Sequence, residues 1–206
     1  QHIDVSIRDM GASFIGPALL DYAMNQKNRT RIGNRDESSA PQGVYRCLGK
    51  DNWIAISVSS DDEWRCMVQV MGYPDWATKS RFGDGFKRWK NHDELDLLIE
   101  KWTSSIEASR VSDDLQHLGV AASVSLSPKQ VFANNHLVER EAFTIVSDQE
   151  KGQQKVVSPP WKFSKTIATI DKWTPELGEN NREVFNGILG LEISEIENLE
   201  RHQVIW

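Results

Sequence analysis

The stretch Ala40-Pro41-Gln42-Gly43-Val44-Tyr45-Arg46-Cys47-Leu48-Gly49-Lys50-Asp51-Asn52-Trp53-Ile54-Ala55-Ile56-Ser57-Val58 carries the clearest structural signal in the chain. Ile54, Ile56 and Val58 alternate toward one face, the period of a half-buried strand. Val44 to Leu48 reads as its partner. The polar Gly49-Lys50-Asp51-Asn52 between them reads as the turn of a β-hairpin.

Downstream, Ser60 followed by Asp61, Asp62 and Glu63 places a cap and negative charge at a helix N-terminus, and Trp64, Met67, Val68 and Met71 form its apolar stripe. Gly72 and Pro74 end it. Phe82 to Lys90 reads as irregular. Asn91-His92-Asp93-Glu94 then resembles a capping box that opens a helix carrying Leu95, Leu98, Ile99 and Trp102. A further helix, Glu107 to Leu118, stops at Gly119, and Val120 to Leu126 alternates as a strand. Ser127-Pro128 starts another helix, with proline where its missing N–H is harmless. Phe143 to Ser147 and Lys155 to Val157 suggest a second hairpin across a polar turn. Beyond Pro159-Pro160 the chain looks extended to Pro175, with short helices expected at Asn181 to Leu189 and Ser194 to Arg201.

Upstream, Lys27 to Gly43 has almost no apolar anchor and the composition of an exposed linker or loop. Before it, Ile7, Met10, Phe14, Ala18 and Tyr22 recur at helical spacing after the candidate cap Ser6, predicting a helix to about Gln26 that Pro17 kinks or ends early. The chain opens at Gln1-His2-Ile3-Asp4-Val5, without methionine and already inside an apolar-patterned segment, which reads as a cut. The fold class is therefore α/β, with composition shifts at Lys27 and Pro159 marking boundaries.

The 206 residues carry 39% hydrophobic and 26% charged side chains, ordinary for a globular protein. The net charge of -6, with basic residues scattered among acids, argues against a nucleic-acid-binding face. No apolar run reaches the roughly 18–20 residues of a membrane span, and no signal peptide is visible. Two cysteines, Cys47 and Cys66, are too few for a disulfide framework and lack zinc-site spacing, so a reducing cytoplasm is the natural location.

Chemistry is scarce in the local motifs. His2, His92, His117, His136 and His202 share no HxxxH or HExxH spacing, so no metal site is expected. GxGxxG, GxxxxGK(S/T) and GxSxG are absent, which removes the usual marks of dinucleotide, nucleoside triphosphate and serine-hydrolase sites. Asp61-Asp62-Glu63 is better explained by the helix dipole than by paired catalytic carboxylates, and His92-Asp93-Glu94 by a cap and solvated first turn. The eight tryptophans mostly fall on apolar faces and read as core.

Longer phrases carry more. Gln1-His2-Ile3-Asp4-Val5-Ser6 is similar to a GQ-x-(I/V)-D-V-S segment without its glycine. Ala40-Pro41-Gln42-Gly43-Val44-Tyr45-Arg46-Cys47, with Gly49 to Ile56, is similar to an APxGxYxCxDG(x)W(V/I)xI hairpin. Arg81-Phe82, Asn91 to Leu95, Leu115 to Ala122, Pro159-Pro160-Trp161-Lys162-Phe163-Ser164, Pro175 to Asn180 and Val184 to Leu191 follow in matching order. Together they resemble the C-terminal half of a family III CoA-transferase. Ala121-Ala122-Ser123 and Asn180-Asn181 depart from the family's usual wording.

The resemblance implies an interlocked homodimer whose subunits pair a Rossmann-like large domain with a small α/β domain. On that map 1–28 is a large-domain helix, 29–42 a linker, 43–126 the small domain, 127–158 the return, and 159–206 the rest of the large domain. It implies CoA transfer from an acyl-CoA donor to a carboxylic acid through an aspartyl anhydride and thioester, with coenzyme A as substrate and no other cofactor. That aspartate lies upstream of the GQ segment, so no catalytic residue and no metal ligand is expected in this chain, which by itself would be inactive and would need the N-terminal half of the enzyme.

Two pieces match positions near the family's active site. The loop Ser38-Ser39-Ala40-Pro41-Gln42-Gly43 aligns with a flexible loop that closes over the intermediate in some members, although it reads equally as a passive interdomain turn. Ile7 matches a position that abuts CoA in some members, against a plain helical core role. Two alternatives remain open. One is an α-methylacyl-CoA racemase, whose (A/G)xExxF glutamate is replaced here by serine within Val58 to Trp64. The other is a noncatalytic fragment or partner subunit.

Overall fold

The computed structural model describes residues 2–148 and 152–206, and the chain divides into two compact units, Gln1–Ser125 and Leu126–Trp206. In the first, β1 (Gln42–Arg46) and β2 (Trp53–Ser57) form the expected antiparallel hairpin, with Tyr45 opposite Ile54 and Val44 opposite Ala55. Asp51 takes a left-handed φ of 56° in the turn, and the Cys47 N–H donates to the Asn52 carbonyl at 2.8 Å. A third strand, β3 (Ala121–Val124), pairs antiparallel on the other side of β2, giving the sheet order β1-β2-β3.

Ahead of the sheet, the helix predicted from Ser6 to Gln26 is two helices, α1 (Ile7–Phe14) and α2 (Gly16–Asn25). Pro17 sits in the first turn of α2, where no intrahelical donor is lost. Neither helix buries a residue within this chain, so the apolar spacing of Ile7, Met10 and Phe14 makes an exposed stripe.

Between β2 and β3 run α3 (Asp61–Val70), α4 (Gly85–Lys90), α5 (His92–Thr103) and α6 (Ala108–His117). Ser60 caps α3 as expected, its Oγ accepting from the Glu63 N–H at 3.1 Å. Alternation sends Tyr45, Ile54, Ile56 and Ala122 to one sheet face, where they pack with Met67 and Val68 of α3, Leu95 and Ile99 of α5, and Val111 and Leu115 of α6. Each large side chain buried this way contributes about 1.5–3 kcal/mol. The opposite sheet face stays open.

Two sequence expectations fail here. Residues 85–90 are helical, capped by Asp84, whose Oδ1 accepts from the Lys87 N–H at 2.8 Å. Asn91 makes no cap for α5: its amide donates to the carbonyls of Lys87 and Arg81 at 2.8 and 3.2 Å, and Glu94 pairs with Arg81.

In the second unit, Ser127 and Gln130 form a reciprocal capping box on α7 (Pro128–Ala133), and Asn134 caps α8 (Asn135–Glu139). β4 (Phe143–Asp148) and β5 (Gly152–Val157) pair antiparallel, Phe143 opposite Val157; the middle of the expected turn lies outside the described residues. Lys155 lies over the rings of Phe132 and Phe143 and donates to the Phe132 carbonyl at 2.9 Å. Residues 158–180 have no helix or strand. A π-wound turn at Arg182–Ile188 and α9 (Ile193–Arg201) follow, at the places expected for two short helices. Val146 and Ile196 are the buried hydrophobics found among the described residues of this unit.

Candidate active-site loop

The loop Ser38 to Gly43 leads into β1, and its two halves differ. Ala40 and Pro41 are buried. The Ala40 N–H donates to the Val58 carbonyl and the Val58 N–H donates to the Pro41 carbonyl, both at 2.9 Å, so this half extends the β1-β2 ladder past the end of β2. The Ala40 carbonyl also accepts from Arg88 Nε at 2.7 Å. Gln42 is held at both ends: its N–H donates to His92 Nε2 at 3.4 Å, and its Oε1 accepts from Ser57 Oγ at 3.0 Å. Ser38, by contrast, is exposed, and its N–H and hydroxyl turn to the neighbouring Asp36 carboxylate.

Behind the fixed half lies a polar junction on α5. Asp96 accepts from the Tyr45 hydroxyl at 2.9 Å and from Arg35 at 2.7 Å, while Arg35 reaches Asp93 at 2.7 Å with the same nitrogen. Burial, with Asp96 beside it, pushes the Tyr45 phenol far above its ordinary value, so it stays a hydrogen-bond donor. His92 is 3% exposed, against the expectation of a solvated first turn. Because Nε2 accepts from Gln42, the proton sits on Nδ1, which has no partner among the described residues.

Burial pushes the His92 pKa below its ordinary value; Asp96, with Oδ1 at 3.6 Å from Nε2, pulls it up, and Arg35 lowers it. The fold therefore holds the neutral ring. Its contribution to stability is complete above the unfolded-chain value near ~6.5 and is lost as pH falls below that toward the folded value. Protonation also converts Nε2 from an acceptor for Gln42 into a donor aimed at Asp96. The unfolding free energy from urea titration is expected to drop between pH 7.5 and 5.5, with a slope of at most about 1.4 kcal/mol per pH unit. His92→Gln, which keeps an acceptor without a titrating group, should flatten that slope. An unchanged slope in the variant would exclude His92 as the source.

Two concavities flank the loop. The outward rows Gln42-Ser57-Ala121 and Val44-Ala55-Ser123 floor an open cleft of ≈ 760 Å³, with Asn34 and Gln116 at its edges. These side chains carry no charge. On the other side, Ser38 and Ser39 face Phe86 and Trp89 of α4 across a cavity of ≈ 370 Å³, beside the Lys27–Glu37 ion pair at 2.7 Å. Ile7 stands at the start of α1 with its side chain 79% exposed. Cys47 is buried, which raises its thiol pKa and leaves it no nucleophile.

Sequence reasoning singled out the loop but did not foresee that Arg88 and His92 bond its Ala40 and Gln42, or that Asp96 stands beside His92. The Asp84 cap ahead of Gly85 was the available signal for α4; nothing local marks Arg88 as buried.

A three-stranded antiparallel sheet covered on one face by four helices, with a loop pinned at its entrance, is the frame in which the likenesses to known proteins fall. Residues 1–181 match CoA-transferase family III, and the chain belongs to that family. It is 28% identical over its whole length to the succinyl-CoA–D-citramalate CoA-transferase of Chloroflexus aurantiacus, covering 51% of that protein. It is 27% identical over 98% of its length to the formyl-CoA:oxalate CoA-transferase of Streptomyces coelicolor, covering 49% of it. A CAIB/BAIF family protein from Brucella suis shares the fold with a TM-score of 0.71 at 23% identity, over 87% of this chain and 46% of that one. The chain thus spans about half the length of the curated relatives it matches. Among the described residues, no helix is long and apolar enough to cross a membrane.

Proposed function

We propose that this chain is the C-terminal part of an enzyme that moves coenzyme A from an acyl-CoA donor to a carboxylic acid. The family match over residues 1–181 carries that reading. The transferase names of the curated relatives favour it over the racemase alternative.

An aspartate outside this chain attacks the donor thioester carbonyl and expels CoA thiolate, leaving a mixed anhydride. The thiolate then attacks the aspartyl carbonyl, releasing the donor acid and forming an aspartyl-CoA thioester. The acceptor carboxylate attacks that thioester in turn, and the freed thiolate takes the acceptor acyl group from the second anhydride. An anhydride is easily hydrolysed, so the loop Ser38 to Gly43 serves to close over it and exclude water. Ile7 lies against CoA.

The exposed stripe of α1 and the thin core of the second unit fit docking onto the N-terminal half of the same enzyme, since the relatives are twice as long. Burying Met10 and Phe14 there recovers about 1.5–3 kcal/mol each. The assembly is a homodimer in the cytoplasm, with no membrane or nucleic-acid partner and no cofactor beyond the CoA substrate.

Hydroxylamine added to the complete enzyme with acyl-CoA is expected to trap an aspartyl hydroxamate, detectable by peptide mass. Solvent deuterium entering the α-carbon without acid exchange would replace this reading with racemisation. The 206-residue chain purified alone should show no transfer, and measurable CoA exchange by it would refute the external nucleophile.

A further inference from the structure

We infer that Arg88 is the positioning residue of the loop Ser38 to Gly43, locking its second half so that closure is confined to Ser38 and Ser39. The inference rests on the loop's proposed role as a shield against water.

Arg88 is 1% exposed and uses all three guanidinium nitrogens. Nε donates to the Ala40 carbonyl at 2.7 Å, Nη1 to the Phe82 carbonyl at 3.2 Å, and Nη2 to Asp61 Oδ1 at 2.8 Å. Its central carbon lies 5.1 Å from the centre of the Trp64 ring. The planar fork thus ties three separate segments, the loop, the Ser80–Phe82 turn and the first turn of α3, to one point on α4.

As a device for stability alone this is a poor choice. Burying a guanidinium is costly, and its single carboxylate partner is half-exposed; a well-packed apolar side chain commonly serves the fold as well. What an apolar residue cannot do is fix the direction of the Ala40 carbonyl. With that carbonyl held by Arg88, and the N–H of Ala40 and the carbonyl of Pro41 held by Val58, the peptide planes around Ala40 cannot rotate without breaking several bonds. Among the described residues Ser38 bonds only to Asp36, two residues away, and the cavity toward Phe86 and Trp89 gives the first half room to move. The hinge therefore falls between Ser39 and Ala40. Loosening Arg88 should move the hinge deeper into the loop, so that closure becomes imprecise and water reaches the anhydride, attacks it in place of thiolate or acid, and releases free acid and CoA thiol.

The test is the ratio of acyl-CoA hydrolysis to CoA transfer in the complete enzyme. Arg88→Met is expected to raise that ratio about tenfold, with kcat for transfer falling and KM for acyl-CoA little changed. Arg88→Lys keeps the charge and one bond and should lie between. Asp61→Asn removes only the outer partner and should raise the ratio about twofold, which keeps the inference testable if the Met variant does not fold. Amide exchange at Ala40 should quicken in the same order. An unchanged ratio in folded Arg88→Lys and Asp61→Asn enzymes overturns the role of Arg88. A wild-type enzyme that forms no hydroxamate instead overturns the anhydride mechanism, so the two failures are distinguishable.

Discussion

Replacing Phe82 by alanine is expected to remove about 3–5 kcal/mol from the stability of the first unit. Phe82 is fully buried, on the short turn Ser80–Phe82 that joins α3 to α4. Its ring meets Trp76 edge to face at 5.9 Å and 88°, and Trp76 packs in turn against Trp64 at 6.3 Å. Deleting it loses the transfer energy of the ring and leaves a cavity that two tryptophans, already wedged against each other, cannot fill by collapse. The same residue's carbonyl holds Arg88, so a shifted turn also slackens the loop clamp. Native unfolding energies are about 5–15 kcal/mol, so the loss is a large fraction of the total. Urea unfolding of the intact chain, followed by tryptophan fluorescence, measures the shift. Phe86→Ala is the control: the same atoms are removed from a side chain 73% exposed on the next helix, at a cost of under about 0.5 kcal/mol. Equal losses in the two variants would show that Phe82 packs less tightly than described.

The contrast between these two phenylalanines also shows what a sequence can and cannot disclose. The hairpin was legible because Ile54, Ile56 and Val58 alternate over a polar turn, and α3 because a serine cap precedes an apolar stripe; both are local signals. α4 escaped because its inward residue is an arginine, and a hydrophobic pattern has no way to register a buried guanidinium. His92 was assigned to a cap for a related reason. Its burial depends on Gln42, fifty residues away in sequence, and on the same junction that Tyr45 and Arg35 enter. The helical spacing of Ile7, Met10 and Phe14 was legible, yet such spacing states only that a partner surface is wanted; among the described residues it finds none. For the loop, small residues and glycine suggested freedom throughout. The bonds that divide it into a held half and a free half come from Val58 and Arg88, long-range contacts that composition does not encode.

Gly43 is where that correction has its largest measurable consequence. Composition suggested a glycine kept for motion, but Gly43 lies within β1, paired with Ile56, and its φ is not in the left-handed region. What it supplies is space. A Cβ built there would stand 2.8 Å from the Tyr45 hydroxyl oxygen and 2.9 Å from the ring carbon that bears it, closer than real side chains approach. Gly43 and Tyr45 share the inward face of the strand, and the Tyr45 ring folds back over the missing side chain to reach Asp96. The end of a flexible exposed chain could swing aside, but this ring is buried and its hydroxyl is bonded, so the collision is relieved only by breaking the Tyr45–Asp96 bond or bending β1. Gly43→Ala should therefore cost about 1–3 kcal/mol, the range for overpacking a core. Removing the ring should remove the penalty: in a Tyr45→Leu background the same substitution is expected to cost below about 0.5 kcal/mol, a coupling readable from urea midpoints in a double-mutant cycle. If the penalty is the same in both backgrounds, the glycine is needed for backbone freedom after all. If the coupling appears, the end of the loop that meets the sheet is fixed by packing against Tyr45, and the mobility required for closure must reside on the far side of Ala40.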